Sequence, residues 1–183
     1  MPYLTDHKQK FDDLRFYLDH QDQLRKQANG GNSILFSYPP EEEHLYIEEV
    51  KERYGDQASF IDISKLFVKF IDADGGWESF KEYYNDFRDT PHKVFRSDDD
   101  SLDLFDLVIH AIEAASKNDK IPFLIRTGSL YGTGVENVNI MEHPSIMNQI
   151  CPLVIFYPSR FEDDNIYFLN FKSASKYRCI LVK

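Results

Sequence analysis

The amino-acid sequence predicts an α/β fold: a mainly parallel sheet with helices on both faces and a C-terminal antiparallel hairpin on the edge. Strand-sized apolar runs alternate with longer amphipathic stretches, the order of elements in sheets built from crossover connections. The runs are nearly continuous, which is typical of strands buried on both faces. The tail differs, because its two strand-sized segments are separated only by a short polar stretch, as in a hairpin.

Four short apolar runs are the predicted strands of the parallel part. They lie at residues 33–38, 58–63, 122–126 and 152–157. Val154, Phe156 and Leu124 occupy central positions in these runs, so we expect them to be almost fully buried. The hairpin strands are predicted at residues 166–171 and 177–182.

Helices are predicted where apolar residues recur at spacings of three and four. The first is expected over about residues 5–27, with Phe11, Leu14, Leu18 and Leu24 on one face. A second is expected to begin at the proline and glutamates of 40–43, residues that favour a helix start. Three further apolar faces predict helices around residues 66–70, 77–87 and 104–115.

Composition and charge narrow the class of protein. Hydrophobic residues make up 42% of the chain and aromatics 15%, enough for the core of one α/β domain spanning residues 1–183. The net charge is −10, so no direct nucleic-acid partner is expected, because that affinity depends on Lys and Arg neutralising phosphates. Neither a membrane helix nor a signal-peptide pattern is recognisable. We therefore expect a cytoplasmic protein, with Cys151 and Cys179 as buried free thiols.

No complete catalytic motif occurs, so the chain is predicted to be no enzyme and to use no cofactor or metal. In this class of fold a phosphate-binding loop would follow the first strand, and it needs glycines followed by Lys and Ser or Thr. The junction at 37–43 has two prolines and three glutamates instead. Prolines lack amide donors and carboxylates repel polyphosphates, so nucleotide hydrolysis is not expected.

A second junction, at residues 126–134, leaves an alternative open. Arg126, Gly128, Gly132 and Gly134 follow the third strand, where backbone amides and one cation could hold an anion. These residues make the chain a candidate for a degenerate P-loop-like nucleotide- or anion-binding domain. Glycines also recur in ordinary crossover turns, and a structural turn is the interpretation we favour.

Residues 123–182 carry a resemblance to a known family. A strand ends in Thr127-Gly128, a segment at 143–150 contains a His and an Asn, and the next strand ends in Tyr157-Pro158. An apolar strand at 166–171 and a Tyr-Arg pair at 177–178 close the pattern. In these features the chain resembles the BrxB family of BREX phage-defence systems, and the order of elements agrees more loosely over most of its length.

The resemblance implies a non-enzymatic accessory or adaptor protein of a bacterial anti-phage complex, acting through protein–protein contacts. It points to other BREX subunits as partners, foremost the alkaline-phosphatase-like subunit PglZ, and it transfers no catalytic residue. Interface cores are enriched in aromatic side chains. We therefore predict partner contacts at Tyr131 and Phe161, two aromatics after strands and outside the regular apolar pattern.

Overall fold

The structure is a computed structural model that describes residues 2–73, 75–96, 102–163, 165–175 and 177–183, with side chains from residue 6 onward. Its strands are β1 (Ser33–Tyr38), β2 (Ala58–Asp62), β3 (Ile121–Ile125), β4 (Leu153–Glu162), β5 (Asn165–Phe168), β6 (Lys172–Ala174) and β7 (Ile180–Val182). Its helices are α1 (Pro2–Asp19), α2 (Gln21–Gln27), α3 (Glu43–Tyr54), α4 (Ile63–Ala73), α5 (Gly76–Asp86), α6 (His92–Phe95), α7 (Leu104–Lys117), α8 (Asn137–Met141) and α9 (Pro144–Met147).

The predicted fold class is confirmed: a parallel sheet with helices on both faces and an antiparallel hairpin beside it. The strand order is β2-β3-β4-β1-β7, and each neighbouring pair is parallel. β5 pairs in the antiparallel direction with the C-terminal part of β4, and β6 pairs with β5. The four predicted parallel strands agree with β1 to β4 to within a few residues, although β4 runs on to Glu162.

The predicted pairing of residues 166–171 with residues 177–182 is wrong. The chain turns directly after β5, where Leu169 and Asn170 both have left-handed backbone conformations, so the hairpin closes on β6. The segment at 177–182 does not pair with β5. Its residues Ile180–Val182 form β7, which lies parallel to β1 and buries Ile180 and Val182 in the core. Burial of these apolar side chains against α1 and β1 favours the main sheet over the hairpin.

Alternate residues of the central strands face two separate hydrophobic clusters. On β1, Ile34 and Phe36 point into the cluster that contains the apolar faces of α1, α2 and α3. Leu35 points to the opposite face, where residues of α4 to α9 form the second cluster. This two-residue alternation is the pleat of a sheet covered on both sides. As predicted, Val154, Phe156 and Leu124 are completely buried.

The first predicted helix is interrupted. At His20 the backbone leaves the helical region, with φ −125° and ψ 60°, so residues 5–27 are divided between α1 and α2. The break lets Leu24 turn inward with Phe11 and Leu14 into one cluster. Across the described ranges, no helix is both long enough and apolar enough to cross a bilayer.

Candidate partner-binding site

The carboxyl end of β1 is occupied by internal polar contacts. The hydroxyls of Ser37 and Ser159 lie 2.9 Å apart and are buried. The Tyr38 hydroxyl donates to Glu43 Oε2 at 2.7 Å, and burial, reinforced by the Glu43 charge, raises the pKa of Tyr38. The two prolines lead into a short 3₁₀ turn at Pro40–Glu42. The place where this class of fold binds phosphate is therefore filled by side chains and carries carboxylates.

Lys10 is a buried cation that the sequence interpretation did not single out. It extends from α1 to donate from Nζ to the Ser37 carbonyl at 3.4 Å, and its Nζ lies 5.5 Å from the Tyr46 ring centre. Desolvation lowers its pKa, against the opposing charges of Asp6 and Glu42. The sequence feature that could have indicated its burial is its position one helical turn before Leu14, on the apolar face of α1.

The junction after β3 is held by its own side chains. Arg126 has a left-handed backbone, φ 58° and ψ 38°, and donates from Nη1 to Asp62 Oδ2 at 2.7 Å. The Thr127 hydroxyl donates to the Phe156 carbonyl at 2.6 Å and is buried. Gly128 lies against Leu169. The cation proposed for anion binding is thus already paired, and the first part of the loop serves packing.

The second part of the glycine loop lines a cavity of about 710 Å³. Residues at 168, 171–175 and 177, which include β6, also line it. Three large aromatics around it are half exposed: Tyr131 at 52%, Phe171 at 59% and Tyr177 at 51%. The Tyr131 and Phe171 rings meet edge to face, with 5.2 Å between centres. We call Tyr131, Phe171 and Tyr177 the aromatic rim.

The lining of this cavity is mainly apolar, and its polar side chains include an ion pair, a buried amide and the hydroxyls of Ser173 and Ser175. Lys172 Nζ and Glu136 Oε1 form an ion pair at 2.9 Å, with both side chains about half exposed. Asn137 also lines the cavity and is buried, and its Oδ1 has no hydrogen-bond partner among the described residues. Burial and the nearby Glu136 charge raise the pKa of Tyr157 in the cavity wall. The arrangement suits an apolar group entering from outside more than an anion.

The predicted site residues fall in different places. Tyr131, Gly132 and Gly134 line the cavity, whereas Arg126 and Gly128 belong to the packed junction. Phe161 is half-buried against the core, and Lys183 Nζ lies 5.1 Å from its ring centre. Phe171 and Tyr177 were missed. Both lie in the tail. They were assigned to the two strands of the predicted hairpin, so no position beside the glycine loop was expected for them.

No cluster of three or more His, Cys, Asp or Glu side chains suited to a metal ion occurs in the part of the chain that the structure describes. Cys151 and Cys179 are free thiols, as predicted, and Cys179 is buried whereas Cys151 is only partly so.

These features define an α/β protein with a parallel sheet between two helical layers and an aromatic-rimmed cavity beside the glycine loop. In comparisons with known proteins, the chain matches no family model, no curated protein and no solved structure.

Proposed function

We propose that this chain is a non-enzymatic adaptor that docks onto a larger protein through the aromatic rim. The observation that carries the proposal is the exposure of three large aromatics around one cavity. Half-exposed Tyr and Phe side chains keep apolar area that a partner can remove from water, and such residues dominate the energetics of protein interfaces. A partner side chain entering the cavity would add buried apolar area at the centre of the contact.

The charge of the chain supports a protein partner with a basic surface. The net charge is −10, from 31 acidic and 21 basic residues. A charge of this size repels nucleic acid and steers basic protein surfaces toward it. At the cavity itself the Glu136 carboxylate is paired with Lys172, so the attraction comes from the charge of the chain as a whole.

The particular system we propose is a BREX anti-phage complex in the bacterial cytoplasm, with this chain in the position of a BrxB-like subunit. Support comes from the position of the rim: Phe171 and Tyr177 lie in the closing segments that carry the resemblance, and Tyr131 lies shortly after Thr127-Gly128. The proposed partners are the other BREX subunits, foremost PglZ. A site with two of its three aromatics in segments typical of the family is the natural candidate for contact with that system.

Degenerate P-loop-like anion binding is the competing function, and it makes a different prediction. It needs Arg126 free to meet an anion beside Gly128, Gly132 and Gly134. The Asp62 carboxylate holds Arg126 at 2.7 Å, which weakens this interpretation. Calorimetric titration with ATP and with inorganic phosphate separates the two functions. Micromolar affinity abolished by Gly128→Val would favour anion binding.

Co-purification tests the adaptor. The chain is co-expressed with PglZ and the other genomic neighbours, and complexes are separated by size-exclusion chromatography. We expect a stable complex that Tyr131→Ala and Phe171→Ala each weaken, with Tyr177→Ala acting in the same direction. Phe16→Ala is the matched control, because Phe16 is an exposed aromatic on α1, away from the rim. Phe161→Ala tests the second predicted contact.

Each result has a definite meaning. If the wild-type chain elutes alone with every neighbour present, the adaptor proposal is wrong. If a complex forms and the rim variants retain it with unchanged melting temperatures, the adaptor stands and the rim is not the interface. Loss of the complex in Phe16→Ala as well would mean that the effect is not specific to the rim.

A further inference from the structure

The outer edge of β2 lies open in a second cavity of about 680 Å³. β2 ends the strand order and, within the described residues, pairs only with β3. All five residues of β2 line the cavity. Because successive side chains of a strand point to opposite faces, five consecutive residues can line one cavity only if the backbone edge itself faces it. The free edge of the sheet is therefore the floor of this groove.

The pairing identifies the peptide groups on that edge. Ile121 N donates to the Gln57 carbonyl at 2.9 Å at the start of the β2–β3 ladder. Peptide groups along a strand alternate between its two neighbours. Positions 57, 59 and 61 thus face β3, and the N–H and C=O groups of Ala58 and Phe60 point into the groove. These groups are available to pair with one more strand.

The walls of the groove are formed partly by small side chains. On one side, α7 contributes Ala111, Ala114 and Ala115. Phe60 lies in the floor, half-buried, with its ring 5.5 Å from that of Phe123. An added strand would place alternate side chains on these alanines and on Phe60, as in other cases of strand addition.

The charge of the groove is opposite to that of the chain. Its lining includes Lys51, Lys65 and Lys120, and Asp62 is the one acidic residue in it, already paired with Arg126. Lys120 donates to the Asp56 carbonyl. Lys51 and Lys65 are exposed, and neither has an ion-pair partner among the described side chains. Two copies of this edge would bring lysines together, so the charge disfavours self-pairing and favours an acidic strand.

We propose that the β2 edge binds an extended acidic segment of a partner protein, which joins the sheet as an additional strand flanked by Lys51 and Lys65. The groove shares no residue with the lining of the aromatic-rimmed cavity, and the proposal does not depend on the adaptor function. Main-chain hydrogen bonds supply the affinity of such a contact, and the lysines select the charge of the segment.

The test uses the full chain, labelled with ¹⁵N, and the alternating peptide Ac-Glu-Val-Glu-Val-Glu-Val-NH₂ at low salt. We expect chemical-shift changes and slowed amide exchange at Ala58 and Phe60. The charge-swapped peptide, with Lys in place of Glu, should bind with an affinity at least about tenfold lower. Peptides N-methylated on alternate amides test the hydrogen bonding: one methylation register should abolish binding and the other should retain it.

Protein variants complete the test. Lys51→Glu combined with Lys65→Glu should lower the affinity about tenfold. Lys8→Glu combined with Lys26→Glu changes the net charge equally at exposed positions outside the groove and should leave it unchanged. Absent shifts at β2, equal binding of both charge forms, or tolerance of both methylation registers would overturn the proposal. A further outcome would also overturn the proposal: the wild type binds no peptide and the variant with Lys51→Glu and Lys65→Glu self-associates. The role of the lysines would then be to prevent pairing between two copies of the edge.

Discussion

The Arg126 guanidinium and the Asp62 carboxylate are joined by an Nη1–Oδ2 contact of 2.7 Å across the ends of β2 and β3. Asp62 also accepts from the backbone N–H and the hydroxyl of Ser64 at the start of α4. The pair therefore ties two neighbouring strands to the helix that follows one of them. It also uses the one cation that the sequence offered for anion binding beside Gly128.

The Asp62 contacts predict an effect of pH on stability. Burial raises the pKa of Asp62, but the Ser64 hydrogen bond and the Arg126 charge outweigh it, so the folded pKa lies below the ordinary 3.8. The folded state then binds fewer protons than the unfolded state, and this stabilisation is present above about pH 4 and lost as the pH falls through the folded pKa. Asp62→Asn should lower the free energy of unfolding by about 1 kcal/mol at neutral pH. It should also reduce the fall of that free energy with pH below about pH 4.

Urea unfolding at neutral pH and at two acid pH values measures this effect. Asp86→Asn, which removes an exposed carboxylate on α5, is the control and should change the free energy of unfolding at neutral pH by less than about 0.5 kcal/mol. Parallel profiles for wild type and Asp62→Asn would contradict the linkage.

The aromatic layer under α1 and α3 should carry much of the stability. Phe156 on β4 stacks on Phe36 of β1 at 4.7 Å between ring centres, and both are completely buried. Phe156→Ala should cost about 3–5 kcal/mol, because it removes a large buried ring and leaves a cavity. Phe171→Ala removes the same side chain from the rim and should change the free energy of unfolding by less than about 0.5 kcal/mol. Equal losses would show that the rim is not exposed in solution.

Two glycines of the loop beside the cavity form a matched pair. Both have left-handed backbones, with φ 83° at Gly132 and 76° at Gly134. A Cβ on Gly132 meets nothing within 4 Å, whereas one on Gly134 would lie 2.5 Å from His92 Cβ. Gly132→Ala should cost about 1–2 kcal/mol from the backbone conformation alone. Gly134→Ala should cost clearly more, and equal melting temperatures for the two variants would mean that α6 moves aside.

The start of α7 depends on Asp103. Its carboxylate accepts from the Asp106 N–H at 2.8 Å, which caps the helix. Asp103→Ala should reduce stability by about 1 kcal/mol, and Asp103→Asn should recover most of the loss because the amide oxygen can still accept. Chemical denaturation of the three proteins checks the order. A loss in Asp103→Asn as large as in Asp103→Ala would place the contribution in the charge and not in the cap.

Local pattern determined most of the elements. Near-continuous apolar runs located β1 to β4, and helical spacing located the buried face of α7. Tyr131 was recognisable because it lies outside both patterns. The spacing of apolar residues indicates which side chains are buried, and a continuous apolar run indicates a strand that is buried on both faces.

Only the tertiary structure decided what pairs with what. Nothing in 177–182 specifies whether β5 or β1 is its neighbour, since an apolar strand satisfies either. The left-handed turn at Leu169 and Asn170 closes the hairpin early and frees Ile180–Val182 for the parallel sheet. The same choice brings Phe171 and Tyr177 beside the glycine loop and places β2 and β7 at the two ends of the strand order. The sequence by itself determined the layers of this protein. Long-range pairing, which no local pattern encodes, determined which segments line its two cavities.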